Sequence, residues 1–166
     1  MLLSLTLNNF KKHEYLHVDF TEGTNGIYGS NYKGKTTLLY AVLYALGGSI
    51  HVPGNRLERR GSKGKFSVEL RFSTAEATFR IERTKSTANL YKGDELVAAG
   101  ISAVNTEVER VIGMSVKEWK ELHYAKQKNS HSLLRYSATN LQKLLRRLVG
   151  ADDVDAVALR LKKMAV

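Results

Sequence analysis

At 166 residues the chain is long enough for one domain with its own core. With 43% apolar and 25% charged residues it fits an ordinary globular protein, and without cysteine it can hold neither a disulfide nor a cysteine-based zinc site. The five histidines are scattered without metal-ligand spacing, and the net charge of +10 calls for an anionic partner, DNA being the natural polyanion.

No stretch is long enough to span a bilayer, and Met1–Leu5 alternates like a strand rather than showing the layout of a signal peptide. A cytoplasmic or nucleoid-associated protein without membrane contact is expected. Leu3, Leu5 and Leu7 alternate with Ser4, Thr6 and Asn8, which predicts a half-buried strand. Asn9–Glu14 reads as a polar turn, and Leu16, Val18 and Phe20 predict a second strand. Asn25–Tyr28 reads as a third, short strand.

That strand would lead into Gly29-Ser30-Asn31-Tyr32-Lys33-Gly34-Lys35-Thr36, which fits G-x-x-x-x-G-K-[ST], the phosphate-binding loop of nucleotide triphosphatases. Its glycines let backbone N–H groups curl around phosphates, and the N-terminus of the following helix adds partial positive charge. Lys35 is expected to reach the β- and γ-phosphates of a bound nucleotide, and Thr36 to hold magnesium. The helix runs on through Leu38–Leu46, every residue apolar or aromatic, and stops at Gly47-Gly48. A helix apolar all round is buried all round, so cover from protein outside this chain is expected.

After a loop at His51–Asn55, Arg56–Lys65 carries five basic residues against one acidic. Phe66, Val68, Leu70 and Phe72, then Ala77, Phe79 and Ile81, predict two amphipathic strands. A shorter pair around Asn89–Tyr91 and Glu95–Val97 turns at Lys92-Gly93-Asp94, which completes an antiparallel meander. Val104, Val108, Val111 and Ile112 share one helical face that Gly113 closes, and Ser115 with Glu118 forms a capping box for a helix carrying Trp119. Leu122–Gln127 reads as a strand and Asn140–Val149 as a helix. From Asp152-Asp153 a last helix spaces Val154, Val157, Leu161 and Met164 like the first heptads of a coiled coil.

Asn9-Phe10-Lys11-Lys12-His13, Leu16-x-Val18-x-Phe20 and the Gly-Lys-Thr-Thr-Leu-Leu run, followed by Arg60-Gly61, Phe79–Arg83 and Gln127, resemble the SMC-like ATPases. Within them the chain looks most like the coiled-coil ATPase of double-strand-break repair, the SbcC type. The resemblance implies an α/β fold: a P-loop NTPase lobe of an ABC-type ATPase head, with an antiparallel β meander and helices leading into a coiled coil. Residues 1–150 would be the N-terminal half of that head and 151–166 the start of the coiled coil.

It further implies that Gly29, Ser30, Asn31, Tyr32, Lys33, Gly34, Lys35, Thr36 and Thr37 hold the triphosphate. Gln127 would complete the magnesium shell and sense the γ-phosphate. Lys11 would stand near the phosphates, and Glu58, Arg59 and Arg60 beside the nucleoside. The implied partners are the C-terminal half of the head, a second head, an SbcD/Mre-type nuclease and DNA. The head of a true SMC or RecF-type ATPase is the alternative, and a small P-loop kinase a more distant one. A GTPase would want Asp-x-x-Gly and Asn-Lys-x-Asp motifs, neither of which occurs. Arg56, Arg59, Arg60, Lys63 and Lys65, with Lys126 and Lys128 as extras, are the candidate contacts to DNA phosphates. Where the family usually has a second glycine in the loop, this chain has Tyr32 followed by Lys33. Glycine tolerates positive φ, which tyrosine resists, so strain is expected there.

Overall fold

The computed structural model describes residues 1–54, 56–62, 64–125 and 137–148. It divides into two compact units, Met1–Lys120 and Glu121–Val166. The first unit is built on one six-stranded antiparallel sheet. Its strands are β1 (Leu2–Phe10), β2 (His13–Asp19), β3 (Ser67–Ser73), β4 (Thr78–Arg83), β5 (Ala88–Lys92) and β6 (Glu95–Ala99), in the spatial order β2-β1-β3-β4-β5-β6. The N-terminal hairpin and the meander are therefore one sheet, joined where β1 pairs with β3.

Period-two alternation places matching residues in rows across this sheet. Val18, Leu5, Leu70, Ile81 and Leu90 are successive partners in one row, and Leu16, Leu7, Val68, Arg83 and Ala88 in the next. Leu5, Leu7, Val68, Leu70, Ile81 and Leu90 are fully buried. The other face is polar and laced with pairs: Arg71 Nε donates to Glu69 at 2.9 Å, Arg80 pairs with Glu82, and Arg80 also stacks 4.1 Å from the Tyr91 ring centre.

The helices are α1 (Lys35–Gly47), α2 (Ile101–Ile112) and α3 (Val116–His123), with a 3-10 turn at Ser49–His51. Helix α1 packs on β1, β3 and β4, and α2 packs on β5, β6 and α1. The expectation that α1 needs outside cover is corrected here. From Ala41 to Gly47 every residue is buried within the chain itself, and only Leu39, 42% exposed, leaves a sizeable apolar side chain in solvent. Gly47 explains how so small a chain closes around the helix. A Cβ there would stand 2.3 Å from His51 Cδ2 and 2.6 Å from Val116 Cγ1, so the missing side chain admits the 3-10 turn and α3. Phe10, Tyr44 and Phe66 form a three-ring cluster with centroids 5.5 to 5.9 Å apart. Each such contact adds about 1 kcal/mol beyond area burial and fixes the end of β1 against α1.

Arg83 is the exception in the core row, at 2% exposure. Its Nε donates to the carbonyl of Ala45 at 3.1 Å, and its Nη2 to Asn105 Oδ1 at 2.9 Å. A cation at the C-terminal end of α1 meets the negative end of the helix dipole. Burial lowers its pKa, and the neighbouring Tyr44 partly opposes that shift. Arg83 thus ties β4, α1 and α2 together.

Three more sequence expectations change. The Asn9–Glu14 turn is narrower: β1 continues through the buried Phe10, β2 starts at His13, and only Lys11-Lys12 turns. Asn25–Tyr28 forms no strand. A strand exists only as a hydrogen-bonded pair, and among the described residues no segment makes a ladder with these four. Instead Asn25 accepts from the Thr21 backbone N–H at 3.0 Å and donates to the Thr21 carbonyl at 2.8 Å, folding an exposed loop. Leu122 and His123 belong to α3 rather than to a strand. The capping box that starts α3 is present as expected: Ser115 N–H donates to Glu118 Oε2 at 3.1 Å and Glu118 N–H to Ser115 Oγ at 3.2 Å.

In the second unit, α4 spans Ala138–Leu148, close to the expected helix. The expected coiled-coil start at residues 151–166 lies outside the described residues, as does Gln127. No described helix is long and apolar enough to cross a membrane.

Candidate functional site

The phosphate loop sits between an exposed lead-in and the open N-terminus of α1. Gly34 is the N-cap residue, at φ 92 and ψ 18, with no side chain capping the helix and no acidic residue in its first turn. Only glycine adopts that backbone geometry without penalty. The uncapped N–H groups and the dipole suit an anion, and the first turn of the helix carries no carboxylate of its own. Lys35 folds back over the loop, its Nζ donating to the carbonyls of Gly29 at 2.5 Å and Ser30 at 2.9 Å. Thr36 is exposed at the first turn, and Thr37 is buried with its backbone N–H donating to the Gly34 carbonyl at 2.9 Å.

Tyr32 occupies the left-handed region, at φ 66, with its side chain 88% exposed. The position does demand the conformation that a glycine would supply, as the sequence suggested. Gly29, Ser30, Asn31 and Lys33 are exposed around it.

Beside the first turn of α1 lies a cavity of about 640 Å³ lined by Lys11, Lys12, Thr37, Arg56, Glu58, Arg59 and Arg60. The wall is built by a second, local pairing. Phe10 and Glu58 form a β-bridge, Lys11 N–H donates to the Leu57 carbonyl at 2.6 Å, and Arg59 N–H to the Asn9 carbonyl at 2.8 Å. Residues 57–59 are thereby stitched to the end of β1, which brings Arg59, with Arg56 and Arg60 on either side, to the first turn of α1 at Thr37. Asn9 (φ 47) and Lys11 (φ 52) both take left-handed backbone to make this turn.

Five cations face one carboxylate in the cavity wall. Glu58 accepts from Lys85 at 3.4 Å, and Arg59 pairs with Glu14 at 3.1 Å. Lys11 Nζ donates to the Pro53 carbonyl at 3.0 Å and lies 5.8 Å from the Tyr40 ring centre; burial lowers its pKa. Such a pocket attracts a polyanionic ligand of nucleotide size.

A protein-family model described as "AAA domain" matches residues 4–160. The chain belongs to the AAA domain family. Among curated relatives, this AAA domain is 28% identical over 160 residues to the DNA double-strand break repair Rad50 ATPase of Methanocaldococcus jannaschii. It is 35% identical over 80 residues to the DNA replication and repair protein RecF of Lachnoclostridium phytofermentans. The first match covers 93% of this chain and the second 48%. The chain spans 16% of the length of the first relative and 20% of the second. A solved structure, the SMC head domain from Thermotoga maritima, matches 64% of this chain and 41% of its own at 21% identity and a TM-score of 0.45. The resemblance read from the motifs agrees with the family match and with the similarity to the Rad50 ATPase.

Of the residues singled out in the sequence, the fold of this AAA domain brings Lys11, Thr37, Arg56, Glu58, Arg59 and Arg60 around one cavity. Arg56, Arg59 and Arg60, the candidate DNA contacts, therefore share a wall with the candidate nucleoside contacts. Lys65 is exposed outside that cavity lining. Lys63, Lys126, Gln127 and Lys128 lie outside the described residues. Sequence reasoning placed Lys12 and His13 in a polar turn and in the family motif without giving either a role at the loop. Both touch the phosphate loop: Lys12 Nζ donates to the Tyr32 carbonyl at 2.8 Å, and His13 Nε2 stands 3.2 Å from the Gly34 carbonyl.

Proposed function

We propose that this AAA domain is the ATP-binding part of a DNA-repair ATPase head. The observation that carries the reading is the phosphate loop on the uncapped N-terminus of α1, set beside a cavity walled by five cations. Gly29–Thr37 cradle the triphosphate, and Lys35 turns from its loop carbonyls to the outer phosphates. Lys11, Arg59 and Arg60 balance the remaining charge, with Glu58 on the nucleoside side. Magnesium suits the donor set, because it is held by one or two protein oxygens together with phosphates, and Thr36 supplies a hydroxyl at that position. Bound there, it neutralises charge on the β- and γ-phosphates. Gln127 is assigned to the same ion by the family resemblance alone.

Phosphoryl transfer is catalysed mainly by positioning and electrostatics, and the attacking water needs an orienting residue. That residue is assigned to the C-terminal half of the head, as are the signature serine and the acidic pair. Residues 1–150 then form one half of the head and 151–166 open a coiled coil. ATP held between two heads clamps them together on DNA, next to a nuclease of the SbcD/Mre type, in the cytoplasm or on the nucleoid. The names of the relatives support a repair role; the RecF match supports a RecF-type DNA-binding head as the second reading.

The division of labour has a direct test. The 166-residue chain by itself is expected to release phosphate from ATP at no more than background, in an assay where the reassembled head turns over. Robust turnover by the isolated chain would overturn the assignment of the catalytic residues to the other half.

A further inference from the structure

The turn between β1 and β2 and the first residue of β2 reach onto the phosphate loop. Lys12 Nζ bonds the Tyr32 carbonyl at 2.8 Å and also lies 5.7 Å from the centre of the Tyr32 ring. The ring of His13 occupies the space where a Cβ on Gly34 would stand, 2.7 Å from its Nε2. Between these two contacts Tyr32 holds φ 66, a conformation that non-glycine residues disfavour by about tenfold. Its ring is 88% exposed, so burial does not keep it there. Lys12 supplies both the bond to its carbonyl and the cation over its ring.

We propose that Lys12 is a positioning residue that holds Tyr32 in the left-handed conformation and so sets the curvature of the phosphate loop. The inference rests on the nucleotide site described under Proposed function and adds a part to it. Where a glycine stands in the loop, the backbone turns unaided. Here a tyrosine stands instead, and a lysine across the hairpin supplies the restraint. His13 meets the other end of the same turn at Gly34, so residues 32–34 are gripped at both ends by adjacent residues of one hairpin. The competing role for Lys12 is a plain cation for phosphate, and the two roles differ in how they depend on Tyr32.

A double-mutant cycle separates them. Magnesium-ATP affinity is measured by calorimetry on the 166-residue chain as wild type, Lys12→Met, Tyr32→Gly and the double variant, with Lys35→Ala alongside. Lys12→Met is expected to weaken binding about tenfold with tyrosine at position 32 and by less than about twofold with glycine there. The backbone order parameter of Tyr32, read without nucleotide, is expected to fall from near ~0.85 towards ~0.6 in Lys12→Met. Both side chains are exposed, so the fold is expected to survive each change. An equal loss in both backgrounds makes Lys12 a plain phosphate cation and overturns the proposal, as does an unchanged order parameter at Tyr32. If Lys35→Ala binds like wild type, the site reading itself is at fault and the role of Lys12 in it falls too. Loss of binding in Lys35→Ala with an additive cycle faults the brace alone.

Discussion

Gly34→Val is expected to abolish useful nucleotide binding while leaving the sheet and helices folded. Gly34 stands at φ 92, where a β-branched residue is a steric outlier. Its new Cβ would also meet His13 Nε2 at 2.7 Å and Cε1 at 3.0 Å. Backbone strain alone costs about 1–3 kcal/mol, and the loop relieves it by giving up the turn that aims its N–H groups. A weakening of about 100-fold in magnesium-ATP affinity follows from strain and lost donors together. The damage stays local, because the core side chains nearest the loop belong to α1 from Thr37 onward and to the sheet. Far-UV circular dichroism should therefore match wild type while the calorimetric signal disappears. Affinity within about twofold of wild type would show that the left-handed turn at Gly34 is not needed.

Arg83→Ala is expected to be strongly destabilising. It removes a long buried side chain from a row otherwise made of Leu16, Leu7, Val68 and Ala88, and leaves a cavity under α1. It also strips donors from the Ala45 carbonyl and from Asn105 Oδ1. Cavity and unmet hydrogen bonds together cost about 3–4 kcal/mol. Arg83→Met refills most of the volume without restoring the donors, so it should cost about 2 kcal/mol. Urea unfolding of the chain measures both. A methionine variant as stable as wild type would mean that the bonds to α1 and α2 contribute nothing. The same residue links stability to the site, because it anchors the C-terminal end of the helix whose N-terminus carries the phosphate loop.

What the sequence made legible follows the range of each interaction. The strands β1 to β4 were readable because alternation of apolar residues is a local signal, and Leu5, Leu7, Val68, Leu70, Phe79 and Ile81 do face the core, while β5 and β6 were read from the turn between them. The capping box at Ser115 and Glu118 is equally local and is present. Asn25–Tyr28 failed as a strand because its residue types suit one but its partner is a matter of tertiary structure. Cover for α1 was underestimated because Gly47 was read only as a stop signal, whereas its missing side chain also admits His51 and Val116. Arg83 continues the inward phase of Phe79 and Ile81, but a buried role for it was not read because a cation is not expected in a core row.

At the site, the loop itself was legible from glycine spacing, and the demand for positive φ at Tyr32 was foreseen. The cavity was not legible from spacing. Lys11 and Lys12, Thr37, and Arg56 to Arg60 are far apart in the chain and meet only through the bridge between Phe10 and Glu58. Family resemblance named most of these residues; the fold supplies the reason they act together. Lys12 lay beyond both, since its partner Tyr32 is a departure from the family pattern.

The central claim is that the loop at Gly29–Thr37 and the adjoining basic cavity form one ATP site. A calorimetric titration of magnesium-ATP into the 166-residue chain, repeated with Lys35→Ala, tests it most directly. Saturable one-to-one binding that inorganic triphosphate competes away is expected, with a loss of about 50-fold or more in the alanine variant. No saturable binding by the wild-type chain, or equal affinity in Lys35→Ala, would contradict it.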